Sequence, residues 1–267
     1  MKVFISADIE GITGTTAWDE TEKKHADYAE FREQMTAEVN AACMGALDAG
    51  AQEIWVKDAH DSARNLIATR LPREVKLLRG WSGHPYLMVS GLDASFDALL
   101  MVGYHARAGS NRNPLAHSMT TSASFIKINE QYASEFMLNA YTAALENVPV
   151  VFVSGDAGLC EEAAKLVPGL TGVTVKEGSG GSTLNLHPEL AVEKIRAGVH
   201  KALSGGYAAC RVALPAHFVV EIGFKQHIHA YAASFYPGAS QKDEHTLRFE
   251  TDSYFEVLRM VAFVLNW

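Results

Sequence analysis

Cysteine is scarce in this chain of 267 residues. Its three copies, Cys43, Cys160 and Cys210, lie far apart and form no CxxC pair. That argues against a disulfide framework and against a thiolate zinc site. All three are expected to act as small buried hydrophobes in a reduced cytosol. Long apolar runs are missing too: no 18 consecutive apolar residues occur, so no membrane span is expected. The opening MKVFISADIEG is too short in apolar residues for a secretory signal, and a cytoplasmic location is expected. No Lys/Arg cluster stands out and the formal net charge is −8, which disfavours nucleic acid as a partner. No internal repeat or low-complexity segment interrupts the chain. What remains is an ordinary globular composition, 48% hydrophobic and 20% charged, long enough for a sizeable core.

Apolar patterning alternates between short runs and helical periods. Residues 2–7, 53–57, 75–78, 98–102 and 150–154 read as strands, mostly of the buried, parallel kind. Residues 28–49 have helical spacing, with Phe31, Met35, Val39, Ala42 and Ala46 on one face and Gly50 as the stop. Residues 135–145, 156–167 and 188–203 read as further helices. Residues 124–128 and 131–133 suggest a hairpin turning at Asn129-Glu130, although the turn lacks the usual glycine. The stretch 177–183, EGSGGST, reads as a loop or hinge. After residue 205 the pattern changes to short strands at 211–214, 218–224 and 246–250, with a final helix from Ser253. The expected fold is α/β, a mostly parallel sheet flanked by helices, over residues 1–204. Residues 205–267 are expected to form a smaller C-terminal α+β subdomain.

The chemistry gathers at strand ends. In open α/β sheets ligands bind outside the carboxyl ends of the strands. The first strand delivers Asp8 and Glu10, the second Asp58 and His60, and the fourth His105. Taken singly, each has a bland reading: a carboxylate after a strand is often a helix cap, and a lone histidine is often structural. Taken together, Asp, Glu and His donors without cysteine suit catalytic zinc, manganese or iron. Several carboxylates in one place are costly unless cations neutralise them, and this many acids suits two cations. One rival is the first motif of haloacid-dehalogenase-type phosphatases, a strand ending in Asp-x-Asp. Here Glu10 is a carbon too long for it, Asp156 lacks the second acid expected after it, and His60 and His105 would have no task.

With these residues in view, the chain resembles the zinc-dependent D-aminopeptidases of the DppA type, peptidase family M55. The resemblance rests on SADIEG at 6–11, DAH at 58–60, GYHAR at 103–107, AHSM at 116–119 and INEQYASEFMLNAY at 128–141. It runs over most of the chain and weakens after about residue 205. It implies two zinc ions per chain, with Asp8 bridging them. Glu10 and His60 would complete one ion, and His105 and Glu135 the other. His117 would stand where the family has its catalytic histidine, described there as a nucleophile. It further implies hydrolysis of short peptides or amino-acid amides from the N-terminus, with release of D-amino acids. Members can assemble as a decamer, so a homo-oligomer is expected.

Physical reasoning fits this picture. Residues two apart in an extended chain point the same way, so Asp8 and Glu10 share a face. Paired zinc ions polarise a carbonyl and activate a water. His117 then suits an acid or an oxyanion holder better than a nucleophile. The bland readings remain: Glu135 opens a helix, where an acid merely favours the dipole, and His117 sits beside Ser118 in a loop. Asp58 and Glu130 are neighbours of the same chemistry. The alternatives to a metallo-aminopeptidase are the phosphatase above and a non-catalytic oligomeric metal-binding protein. The remaining eight histidines have no such context and are expected to be surface or structural.

Overall fold

The computed structural model describes residues 1–265, so the last two residues of the expected C-terminal unit lie outside the described residues. These residues form twelve strands and six α-helices. The larger sheet contains β1 (Lys2–Ala7), β2 (Glu53–Asp58), β3 (Val75–Leu78), β4 (Ala98–Tyr104), β7 (Val150–Asp156), β8 (Thr171–Ser179) and β9 (Ser182–Asn185). Their order is β3-β2-β1-β4-β7-β8-β9. Every pairing is parallel except the last, β8 with β9. Residues 98–102 of β4 and 150–153 of β7 are buried throughout, as expected of strands covered on both faces. Helix α1 (Tyr28–Asp48) packs against α4 (Pro188–Leu203), burying Met35, Val39, Ala42 and Ala46 and half-burying Phe31.

The chain first walks from β1 out to β3, then crosses back to lay β4 on the other side of β1. That reversal puts a switch point between the carboxyl ends of β1 and β4, the usual crevice for a ligand. Two glycines make the crevice tight. A Cβ on Gly11 would sit 1.6 Å from the Tyr104 carbonyl oxygen, and one on Gly103 would sit 2.3 Å from the Asp8 carbonyl oxygen. Gly103 also has φ +73°. Gly11 is thus needed for close approach of backbones.

A second, antiparallel sheet has the order β11-β12-β10-β5-β6. It joins β5 (Ala123–Ile128) and β6 (Gln131–Tyr132) to β10 (Phe218–Phe224), β11 (Ala239–Gln241) and β12 (Thr246–Thr251). It therefore draws on residues both before and after 205. The hairpin at Asn129-Glu130 forms with both residues at positive φ, +49° and +69°. The Asn129 side chain stabilises it by accepting from the Val219 amide and donating to the His217 carbonyl. Helices α2 (Glu135–Leu145), α3 (Ala157–Leu166), α5 (His227–Ala233) and α6 (Tyr254–Val264) complete the fold.

Two expected elements differ. EGSGGST is mostly strand: β8 runs to Ser179, β9 starts at Ser182, and Gly180-Gly181 is the tight turn between them. A Gly-Gly pair between extended residues is itself a hairpin signal. Residues 211–214 form no strand. Arg211 instead docks on the carbonyl and side-chain oxygens of Asn147, and Pro215 follows at once. A short apolar run becomes a strand only beside a free sheet edge.

Candidate metal centre

Asp8 and Glu10 leave β1 just where it turns under the Tyr104 carbonyl. His60 follows β2, and His105 follows β4. Glu135 comes from elsewhere: it is the first residue of α2, behind the N-cap Ser134, whose hydroxyl accepts from the Met137 amide. His117 lies on the long connection from β4 to β5. All six side chains converge. His60 Nδ1 is 3.4 Å from Asp8 Oδ1 and 3.1 Å from Glu10 Oε2. His105 Nε2 is 3.5 Å from Asp8 Oδ2 and 3.2 Å from Glu135 Oε2. His117 Nε2 is 3.5 Å from Glu135 Oε1, and its ring stacks on His105 at 4.3 Å. Asp58 and Glu130 stay outside. Asp58 accepts from the amides of Asn65 and Leu66, which shapes the turn after His60, and Glu130 is exposed in its hairpin.

The direction of the imidazoles is decisive. His60 Nε2 faces the Thr21 carbonyl, His105 Nδ1 the Ala106 carbonyl and His117 Nδ1 the Leu115 carbonyl, all at 2.9–3.0 Å. A carbonyl only accepts, so those nitrogens carry protons. In the neutral ring the other nitrogen then presents a lone pair. Three lone pairs and three carboxylates thus face one another, and all but His117 are buried. Glu10 Oε2 and His105 Nε2 are buried without a hydrogen bond. The donor set is the oxygen and imidazole mixture of catalytic zinc, and the backbone-held histidines are the usual way to aim such ligands. The residues fit zinc.

The electrostatics agree. Burial and the neighbouring Glu10 push Asp8 well above the usual carboxylate range. Burial opposes protonation of His60 and His105, but the adjoining carboxylates overcome it, raising both, His105 to about 10. The cluster therefore demands positive charge, and takes it from protons where nothing else supplies it. His117 goes the other way, lowered by burial and by the positive charge at His105. It stays a neutral base.

These groups line a cleft of about 800 Å³, with Trp18, Thr21, Glu22, Lys23, Lys24, Asp61, Met88 and Met119 around it. Sequence reasoning missed Trp18, whose ring meets His117 edge-on at 5.4 Å, and Met119, whose amide donates to Glu135 Oε1 at 2.6 Å. Met119 has φ +64°, an unusual conformation for a side-chain-bearing residue and one that no sequence pattern announces.

The profile of peptidase family M55, D-aminopeptidase, matches residues 1–263. The chain belongs to the M55 D-aminopeptidase family. The match continues through the region where the motifs thin out. A D-aminopeptidase of Bacillus subtilis strain 168 is 32% identical over 258 residues, 96% of this chain and 93% of the relative. The solved structure of the Zn-dependent D-aminopeptidase DppA from Bacillus subtilis, described as a self-compartmentalizing protease, superposes with a TM-score of 0.92 at 30% identity. The match covers 100% of this chain and 97% of that one. Membership of M55 makes this a peptidase hydrolase and displaces the phosphatase reading. Asp156, the one acid near the place of that reading's later acidic pair, caps α3 by accepting from the Leu159 amide.

Proposed function

We propose that this M55 protein is a binuclear zinc aminopeptidase that releases N-terminal D-amino acids from short peptides. The observation that carries the reading is Asp8: one carboxylate oxygen faces His60 and the other faces His105. Asp8 would hold both ions, Glu10 and His60 would complete one, and His105 and Glu135 the other. The Met119 amide engages Glu135 Oε1, which leaves Oε2 for His105. Zinc bound there supplies a Lewis acid for the peptide carbonyl and acidifies a water.

His117 has the role of proton carrier. Its side chain is 15% exposed, against 7% for His60 and 1% for His105, so it is the imidazole that faces the cleft most. The Leu115 carbonyl fixes its tautomer, leaving Nε2 to accept a proton and return it to the departing amine. His105 behind and Trp18 beside it hold the ring in place. The cleft has room for a short peptide.

Assembly belongs to the same proposal. Ile228, Tyr231, Phe235 and Phe263 are all more than half exposed, and such large apolar side chains mark an interface. We place the chain in a homo-oligomer, a decamer in line with the self-compartmentalizing relative. Light scattering should give about ten times the 29.0 kDa of one chain, and a value near 29.0 kDa would refute it.

The test of function is a panel of D- and L-aminoacyl amides and dipeptides with the zinc-loaded protein. Hydrolysis of D-substrates is the expected result, and no turnover of either series would overturn the reading. His60→Ala should lose metal content first, because it deletes a donor of one ion.

A further inference from the structure

Three buried polar side chains behind the cluster touch none of the proposed ligands' donor atoms. Lys176, on β8, is 2% exposed, yet its ammonium meets no carboxylate. It donates to the Glu10 carbonyl, to the Thr15 carbonyl at 2.6 Å and to the Thr15 hydroxyl at 2.7 Å. Its three protons match these three acceptors, all in the turn that carries Glu10. Asn113 donates to the same Glu10 carbonyl at 3.1 Å and to Asp156 Oδ2 at 2.9 Å. Asp156 Oδ2 also accepts from the Ala106 amide at 2.7 Å, the residue next to His105. Its Oδ1 accepts from Leu159 at the start of α3.

The connected path therefore runs from the cap of α3, through Asp156, to both turns that present ligands. One branch reaches Ala106, whose carbonyl in turn orients the His105 ring. The other passes through Asn113 to the Glu10 carbonyl, which Lys176 grips from the opposite strand. Burying a cation and an anion costs far more than closing a turn with neutral donors. Their placement is explained by what they fix: a carbonyl one bond from the Cα of Glu10, and an amide one residue from His105.

We infer that Lys176, Asn113 and Asp156 form a positioning strut that sets the zinc affinity of the cluster by fixing the main chain under Glu10 and His105. The inference rests on the zinc reading above. Groups that orient ligands from behind typically change metal affinity by about 10–100-fold when removed.

The experiment compares Lys176→Met, Asp156→Asn and Asn113→Ala with the parent protein. Zinc affinity is read by competition with a chromophoric chelator, and ligand geometry by the visible spectrum of the cobalt-substituted protein. Circular dichroism shows that each variant is folded. The expected result is a loss of about 10–100-fold in zinc affinity with a shifted cobalt spectrum in Lys176→Met and Asp156→Asn. A smaller change in the same direction is expected in Asn113→Ala, which removes one of the donors to Glu10 and carries the test alone if the charged variants do not fold. Parental affinity and spectrum in the folded variants would overturn the strut and leave the zinc reading standing. A parent protein that takes up no zinc would overturn the zinc reading itself, and the strut with it.

Discussion

Two of the places where imidazole meets carboxylates in this molecule behave as opposites. On the antiparallel sheet, His217 lies between Asp252, 2.6 Å from Nδ1, and Glu250, 3.5 Å from Nε2. Its side chain is 52% exposed, and those of Glu250 and Asp252 are 47% and 85% exposed. Both ring nitrogens face acids, the hydrogen bond to Asp252 raises the histidine, and water solvates the rest. Arg248 adds a further partner for Glu250. At the switch point, each histidine turns one nitrogen to a backbone carbonyl and the other to a carboxylate, and burial shields all three rings, His117 least. The residue types are the same. Burial and the direction of the ring protons separate a solvated surface group from a cation site.

The sharpest way to break this contrast is to remove metal. Dialysis against a chelator should abolish peptide hydrolysis, and zinc should restore it. Undiminished turnover in the metal-free protein would put the buried cluster on the same footing as the surface one. The next effect separates chemistry from metal holding. His117→Ala should keep its zinc while turnover falls by about 10²–10⁴-fold, the range for a positioned acid or base. The Michaelis constant should change little. If zinc is lost as in His60→Ala, then His117 is a ligand.

A buried group outside both clusters sharpens the role of burial. Glu38, on α1, accepts from the Thr13 amide and from Gln34 on Oε1, while its Oε2 has no partner. Burial raises it to about 7, against an ordinary 4.5. Between those values the folded protein binds more protons than the unfolded chain, so stability falls as the pH rises through the interval. The full loss is about 3 kcal/mol, at about 1.4 kcal/mol per unit. Glu38→Gln has no such titration. Denaturant unfolding at pH 5 and at pH 8 should show it gaining on the parent toward that figure. A gap independent of pH would show that Glu38 is held ionised. The smallest effect is His217→Ala, which should leave zinc content and turnover at parental values. A marked loss of either would remove the distinction between the two clusters.

The sequence shows the cluster better than its supports. Asp8, Glu10, His60 and His105 are legible because strand ends are legible and parallel strands deliver their ends to one edge. Glu135 is different: as the first residue of a helix it has a complete structural excuse, and only the resemblance to M55 singled it out. Lys176 carries no signal in the sequence, since its segment has too weak an apolar pattern to read as a strand and the EGS after it falls in the expected loop. Its burial depends on the turn at residues 10–15 folding over it, a contact more than 150 residues away in the chain. Strand β8, helix α5 and strand β11 were missed for a related reason. Their apolar patterns are weak, and tertiary pairing decides them. The antiparallel sheet was legible strand by strand, yet nothing local shows that β5 pairs with β10.

The proposed site would hold two zinc ions at this edge of the sheet, with Asp8 between them. Elemental analysis of the parent protein, stripped with chelator, reloaded with zinc and freed of excess metal, tests it most directly. Two zinc ions per chain are expected, and neither should be held tightly in Asp8→Ala. One ion or none in the parent, or an Asp8→Ala protein that keeps both, would contradict it.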